Sequence, residues 1–220
     1  MRCYSFLTSG EYEQALIKLT SMMRGIGDPL VAIYARCYLC RVGVQVAPSV
    51  KTHLMANFHD TLKTYAQVEY DTVQAQITSE RIEVGQYLHL WVPGLDWILQ
   101  CAAYRAPDST LDMIMSKSKE MANISLLLNA VMSAFPPEYI SKRAVHFCEL
   151  IRAASDDGLP KHHLYRTLGM NVSLSSPPKE QLLEILNDVW KIVMQVRHTH
   201  PLNPYCYCVV HILKLTIEYA

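Results

Sequence analysis

Apolar residues recur every three or four positions through most of the chain, which is the spacing of one face of an α-helix. Alternation with a period of two, which would indicate a half-buried strand, is not sustained anywhere. The pattern predicts nine or ten helices, no strand and an all-α fold. Two of the clearest faces carry Ile124, Leu127, Leu128, Val131 and Phe135, and Leu182, Leu186, Val189, Trp190 and Val193.

The segment from Pro29 to Val46 predicts how the helices pack. Asp28 before Pro29 is a typical helix start, because the carboxylate caps the first turn and proline fits its first position. Two apolar stripes follow on opposite sides of this helix, so both sides need a neighbour. Helices inside a stack of helix pairs are covered in that way, which favours an α-solenoid of HEAT-like antiparallel pairs over a small bundle. The stripes are Leu30, Ile33, Cys37, Cys40 and Val44, and Val31, Ala35, Tyr38, Leu39 and Val42.

Composition narrows the class of protein. Half of the 220 residues are hydrophobic, only 18% are charged, and 20 basic residues balance 20 acidic ones. A neutral chain lacks the basic excess of a nucleic-acid-binding protein. Seven cysteines at irregular spacing, without a signal peptide, indicate a reducing cytoplasmic compartment. No stretch is long and apolar enough to predict a membrane-spanning helix.

The pair Cys37 and Cys40 is the main candidate for chemistry. A Cys-x-x-Cys motif binds zinc or performs thiol redox reactions, which would make the protein a metal- or thiol-dependent helical enzyme. The other interpretation is packing, because both cysteines fall on one apolar stripe, where cysteine acts as a small hydrophobic residue. Stoichiometric metal in the purified protein would favour the enzyme.

Other chemical motifs are weak. His162 and His163, and His198 and His200, are paired histidines without carboxylates or cysteines nearby in sequence. We identify no catalytic centre and expect neither an enzyme nor a cofactor.

Several ordered stretches closely resemble the vacuolar protein sorting 35-like subunit of the retriever complex, a relative of the large solenoid subunit of retromer. They include Arg-Gly-Ile-Gly-Asp-Pro-Leu from Arg24, Tyr-Ala-Arg-Cys-Tyr-Leu-Cys-Arg-Val-Gly from Tyr34 and Leu-Asp-Trp-Ile-Leu-Gln-Cys from Leu95. Further stretches lie at 46–48, 106–107, 126–135, 159–162 and 177–191.

The resemblance implies a non-enzymatic solenoid scaffold for endosomal cargo recycling, in the cytoplasm and associated with endosomes through its partners. The implied partners are an arrestin-like and a phosphoesterase-like subunit, a sorting-nexin cargo adaptor, and an assembly of coiled-coil and COMM-domain proteins.

Parts of the family pattern are missing. We expect residues 1–196 to form the solenoid segment and 197–220 to be a divergent, helical tail. The proline-arginine-leucine-tyrosine-leucine motif of retromer is not found, and its counterpart would lie upstream of Met1. We also expect the phosphoesterase-binding part to be absent.

Three arginines are our candidates for partner contact. Arg24 follows the first helical segment, while Arg36 and Arg41 fall in the seams between the two apolar stripes. Arginine is enriched at the energetic centres of protein interfaces, and we expect these three to face solvent. The alternative is that they only cap helices and solvate the seams.

Overall fold

A computed structural model describes residues 8–69, 71–119, 124–155, 159–175 and 178–197. Of these residues, 81% lie in α-helices and none lies in a strand. The predicted all-α helical-repeat fold is therefore confirmed. The described residues hold twelve α-helices rather than nine or ten, since Val84–His89 and Pro137–Lys142 are separate short helices. The chain divides between residues 122 and 123 into two compact units.

The helices are short and follow one another closely. In the first unit they are α1 (Ser9–Met23), α2 (Pro29–Val46), α3 (Thr52–Ala66), α4 (Asp71–Ser79), α5 (Val84–His89), α6 (Val92–Ala103) and α7 (Asp108–Ser118), with a 3₁₀ turn at Gln67–Glu69. In the second unit they are α8 (Ile124–Ala134), α9 (Pro137–Lys142), α10 (Ala144–Ala153), α11 (Lys161–Leu174) and α12 (Lys179–Arg197). No helix among the described residues is both long and apolar enough to cross a bilayer.

Helix α2 is the centre of the first unit and begins as predicted. The Asp28 carboxylate accepts a hydrogen bond from the Val31 amide at 2.8 Å, and Pro29 occupies the first turn. Helices α1, α3 and α6 all pack against α2. These contacts bury one side of α2, which carries Ala32, Ile33, Arg36, Leu39, Cys40 and Gly43.

The prediction that α2 is covered on two opposite sides is correct only in part. Val31 and Tyr38, from the second predicted stripe, are exposed, and Tyr38 is 70% exposed. Leu39, assigned to the same stripe, is buried instead. Ala35 and Val42 of the second stripe are half-buried. Among the described residues of the first unit, the exposed part of α2 is therefore a narrow strip that carries Val31, Tyr34, Tyr38, Arg41 and Gln45.

Helices α2 and α6 run side by side in the same direction. The Tyr34 hydroxyl, near the start of α2, donates a hydrogen bond to the Leu90 carbonyl oxygen just before α6. The Lys51 ammonium, beyond the end of α2, donates one to the carbonyl oxygen of Tyr104, at the end of α6. Parallel neighbours of this kind are expected for equivalent helices of successive repeats.

The second unit is organised around α11, which packs against α8, α9 and α10, while α12 packs against α10. Polar side chains fix the position of α11. The Asn171 amide donates to the Met132 carbonyl oxygen at 2.8 Å, and the Ser141 hydroxyl donates to the Asn171 carbonyl oxygen at 3.1 Å. The predicted tail lies outside the described residues from residue 198 onwards, and the boundary at residue 196 stays a prediction.

Candidate interaction surface

Cys37 and Cys40 lie where α2 meets α6, close to Cys101. Cys40 and Cys101 are buried, whereas Cys37 is half-buried. Burial raises the pKa of the Cys40 thiol far above its ordinary value, and burial also raises the pKa of Cys37 against the opposing influence of Arg41. A protonated thiol is a poor metal ligand and a poor nucleophile. This environment favours the packing interpretation.

Metal binding has little other support in the part of the chain that the structure describes. Within it, no three His, Cys, Asp or Glu side chains are grouped so that they could hold an ion. His162 and His163 do come together at the start of α11, with ring centroids 4.3 Å apart. His198 and His200 lie outside the described residues.

The three candidate arginines occupy three different environments. Arg24, in the turn after α1, is largely exposed and donates a hydrogen bond from Nε to the Asp60 carboxylate at 2.7 Å. Asp60 itself is buried on α3. The ion pair therefore ties the end of α1 to α3, and it leaves the outer side of Arg24 accessible to a partner.

Arg36 is only 3% exposed, so the prediction that it faces solvent is wrong. Its position on the helix places it at the centre of the buried face of α2. There its Nη1 donates a hydrogen bond to the Thr64 hydroxyl of α3 at 2.8 Å. Burial lowers the pKa of the guanidinium, and the nearby charge of Asp60 opposes that shift. Arg36 therefore fixes the position of α2 on α3, and its side chain is too buried to contact a partner protein.

A buried polar layer continues this contact between α1 and α3. The Asn57 amide donates to the Thr20 hydroxyl at 2.9 Å and to the His53 carbonyl oxygen at 2.8 Å. This layer was not predicted from the sequence. The sequence feature that could have revealed it is the recurrence of polar residues along α3 at helical spacing. These residues are His53, Asn57, Asp60, Thr61 and Thr64.

Arg41 faces solvent as expected, and its guanidinium lies beside an aromatic ring, while its contact with a partner stays a prediction. Its guanidinium carbon is 4.9 Å from the centre of the Trp97 ring on α6. The face of an aromatic ring attracts a cation, so the pair is a cation–π contact. Trp97 nevertheless remains 42% exposed. Two groups that usually form the centre of a protein interface are therefore held together at the surface.

Further aromatic residues extend this surface along α2. Tyr34 and Tyr38 are exposed, and they share with Arg41 the exposed side of α2, which borders α6. We call Tyr34, Tyr38, Arg41 and Trp97 the α2–α6 face. Its three aromatic members were not predicted as contact residues, although Tyr34 and Tyr38 precede Arg41 at the spacing of one helical stripe.

Charged residues of both signs lie at the ends of α2 and α6, with Asp28 before α2, Lys51 after it, and Arg105 and Asp108 after α6. Lys51 and Arg105 lie at the end of α6, where the Lys51 ammonium reaches the Tyr104 carbonyl oxygen at 2.7 Å and the Arg105 guanidinium lies 5.2 Å from the Tyr104 ring centre. Helix α2 contains no acidic residue, and α6 contains only Asp96. Burial raises the pKa of the Asp96 carboxyl group.

Comparison with known protein families shows which family this chain resembles. A family model described as the VPS35L C-terminal domain matches residues 106–218, and one described as VPS35L matches residues 1–90. The chain belongs to the VPS35L family. The family match extends to residue 218, beyond residue 196, where the divergent tail was expected to begin. Trp97 falls between the two matched ranges.

The chain is similar to relatives named VPS35 endosomal protein-sorting factor-like from distant organisms. It is 43% identical to the Homo sapiens protein over 220 residues, which is 100% of this chain and 22% of that protein. It is 46% identical to the Danio rerio protein over 197 residues, and 40% identical to the Dictyostelium discoideum protein over 199 residues. These alignments cover 90% and 88% of this chain and 20% of each relative. The chain therefore spans about a fifth of the curated relatives it matches.

Proposed function

We propose that this chain is a non-enzymatic scaffold segment of a retriever-type complex, which returns membrane proteins from endosomes to the plasma membrane. The observation that carries the proposal is the VPS35L family membership, because the relatives are named as endosomal protein-sorting factors. A repeat-type helical fold suits the task, since stacked helices provide long surfaces for several partners.

The proposed partners are those of the whole complex. They are an arrestin-like subunit, a phosphoesterase-like subunit, a sorting-nexin cargo adaptor, and an assembly of coiled-coil and COMM-domain proteins. We place the chain in the cytoplasm and on endosomes, held at the membrane through these partners. We propose no nucleic-acid partner, because the chain has no net positive charge.

The absence of catalysis is part of the proposal. The motif that most suggested an enzyme, Cys37 and Cys40, consists of thiols whose pKa values are raised by burial. Of the three candidate arginines, we propose Arg41 and Arg24 as partner contacts. Arg36 instead contacts α3 from the buried face of α2.

A segment exchange tests this function. The matching part of the Homo sapiens relative would be replaced by this chain, and the chimaera would be expressed in cells that lack the relative. We expect it to restore the surface level of a recycled membrane protein and to co-purify with the other subunits. The matched control carries Leu99→Asp, which places a charge in the core of the first unit and should abolish both effects. A folded, endosomal chimaera that fails to restore the cargo would contradict the proposal.

A further inference from the structure

We propose that α1 opens away from the rest of the first unit as a separate segment, with the turn at Gly25 and Gly27 as its hinge. This conformational step goes beyond the proposed function and does not depend on it. Helix α1 has a small buried part, polar pairs join it to α3, and the folded turn does not require its two glycines.

Helix α1 buries less than its neighbours. Among the side chains of α1 that the structure describes, only Leu16 and Thr20 are buried, whereas α2 buries seven residues and α3 buries nine. Leu16 packs with Leu39 of α2 and with Ala47 and Val50 beyond its end. The partly buried hydrophobic residues around this cluster are Tyr12, Met23 and Val46. A segment with few buried apolar side chains opens at a lower free energy than the core of the same unit, so α1 is expected to open first.

Polar pairs join α1 to α3. The Asn57 amide donates to the Thr20 hydroxyl at 2.9 Å in the buried part of the contact. The Thr52 hydroxyl donates to the Glu13 carboxylate at 3.0 Å nearer the surface. Water satisfies the same groups when the helices separate, so each hydrogen bond adds only modestly to the stability of the closed form.

Arg24 and Asp60 form the contact nearest to the hinge, since Arg24 directly precedes Gly25. The Arg24 side chain is 60% exposed, while that of Asp60 is 6% exposed. An ion pair with one partner in solvent is screened and contributes little to stability. The pair therefore acts as a weak latch at the end of α1.

Gly25 and Gly27 are not required by the folded turn. Neither has a positive φ. A Cβ atom on Gly27 would meet nothing within 4 Å, and one on Gly25 would make an ordinary contact of 3.4 Å with the Met22 carbonyl oxygen. Gly43 and Gly94 differ, because a Cβ atom on either would approach a neighbouring helix to 2.9 Å or less. Where alanine would fit, glycine lowers stability by leaving the unfolded chain more freedom.

Freedom to change φ and ψ is what glycine adds to the turn between α1 and α2. Hinges are formed by a few loop residues that absorb such changes, and small residues are common among them. Gly10 also has free space around it, but it lies in the first turn of α1, where helical hydrogen bonds fix the backbone. Gly25 and Gly27 therefore mark the hinge.

Hydrogen exchange of the full chain, followed by mass spectrometry, tests the opening. Relative to their intrinsic rates, we expect the backbone amides of α1 to exchange at least tenfold faster than those of α3. Arg24→Gln should accelerate the exchange of α1 about threefold and leave that of α3 unchanged. Lys18→Gln, which removes the same charge at an exposed site of α1, is the matched control and should change neither rate.

A double variant with Gly25→Ala and Gly27→Ala tests the hinge. It should slow the exchange of α1 at least threefold, because alanine restricts the freedom that the turn gains when α1 opens. Unchanged exchange of α1 would show that the turn keeps its conformation, and it would overturn the hinge.

Two further results would overturn the proposal. They are exchange of α1 at the rate of α3, which would mean that the first unit opens only as a whole, and equal effects of Arg24→Gln and Lys18→Gln. Thermal melting of each variant shows whether it is folded, so that faster exchange is not mistaken for loss of the fold.

Discussion

The imidazole ring of His53 on α3 lies directly against the backbone of Gly43 on α2. A Cβ atom built on Gly43 would be 2.9 Å from His53 Cε1 and closer still to Nε2, which is nearer than real Cβ atoms approach. Both residues are buried. The close contact of α2 with α3 thus depends on the missing side chain of one residue and the ring of the other.

Gly43→Ala is therefore expected to destabilise the protein by about 1–3 kcal/mol, because the core must shift to admit the methyl group. Gly10→Ala in α1 is the matched control, since a Cβ there meets nothing within 4 Å. Gly10→Ala should not lower the free energy of unfolding, and the higher helix propensity of alanine favours an increase of up to about 1 kcal/mol. Urea denaturation would give the free energy of unfolding of both variants. Equal values for the two variants would contradict the close approach of Gly43 to His53.

His53 also predicts how stability depends on pH. Burial lowers the pKa of its imidazole, so the folded protein disfavours a proton that the unfolded chain binds below about pH 6.5. The stabilisation from this group is complete above that pH and is lost as the pH falls, by up to about 1.4 kcal/mol per pH unit.

Denaturation at several pH values between 7 and 5 measures this slope. His53→Gln should flatten it, while His59→Gln, at an exposed site on the same helix, should leave it unchanged. An unchanged slope in the His53 variant would show that another group is responsible.

The charges around Asp60 should contribute unequally to stability. Asp60→Asn is expected to cost about 2–4 kcal/mol, because it leaves the buried Arg36 guanidinium without its nearby negative charge. Arg24→Gln should cost less than about 1 kcal/mol, since Arg24 is largely exposed and its ion pair is screened by solvent. Calorimetric melting compares the two variants, and a larger loss for Arg24→Gln would reverse this ranking.

Cys37 and Cys40 should act through packing alone. Replacing both with alanine is expected to destabilise the protein by about 1–3 kcal/mol, mostly through the cavity at the buried Cys40. The melting temperature of the unmodified protein should not change when a strong zinc chelator is added. A drop of several degrees with chelator, together with stoichiometric zinc in elemental analysis, would favour a metal site instead.

The start of α2 could be predicted from sequence, whereas its buried face could not. Asp28 and Pro29 act within one helical turn, so their local chemistry was enough. Both sides of α2 are apolar, however, and periodicity does not reveal which side has neighbours. The burial of Arg36 depends on Thr64 and Asp60, which belong to a different helix, and no local pattern links them. Trp97 beside Arg41 was hidden for the same reason.

The packing of Ile33 against Gly94 has a consequence for protein synthesis. Ile33 is completely buried, and a Cβ at Gly94 would approach its side chain to 2.9 Å. During synthesis on the ribosome, α1, α2 and α3 leave the exit tunnel well before α6. The apolar side chain of Ile33 therefore lacks its α6 neighbour for that time. During this interval a chaperone could bind the exposed apolar surface of α2 on the nascent chain. The interval ends when α6 leaves the exit tunnel and packs against Ile33.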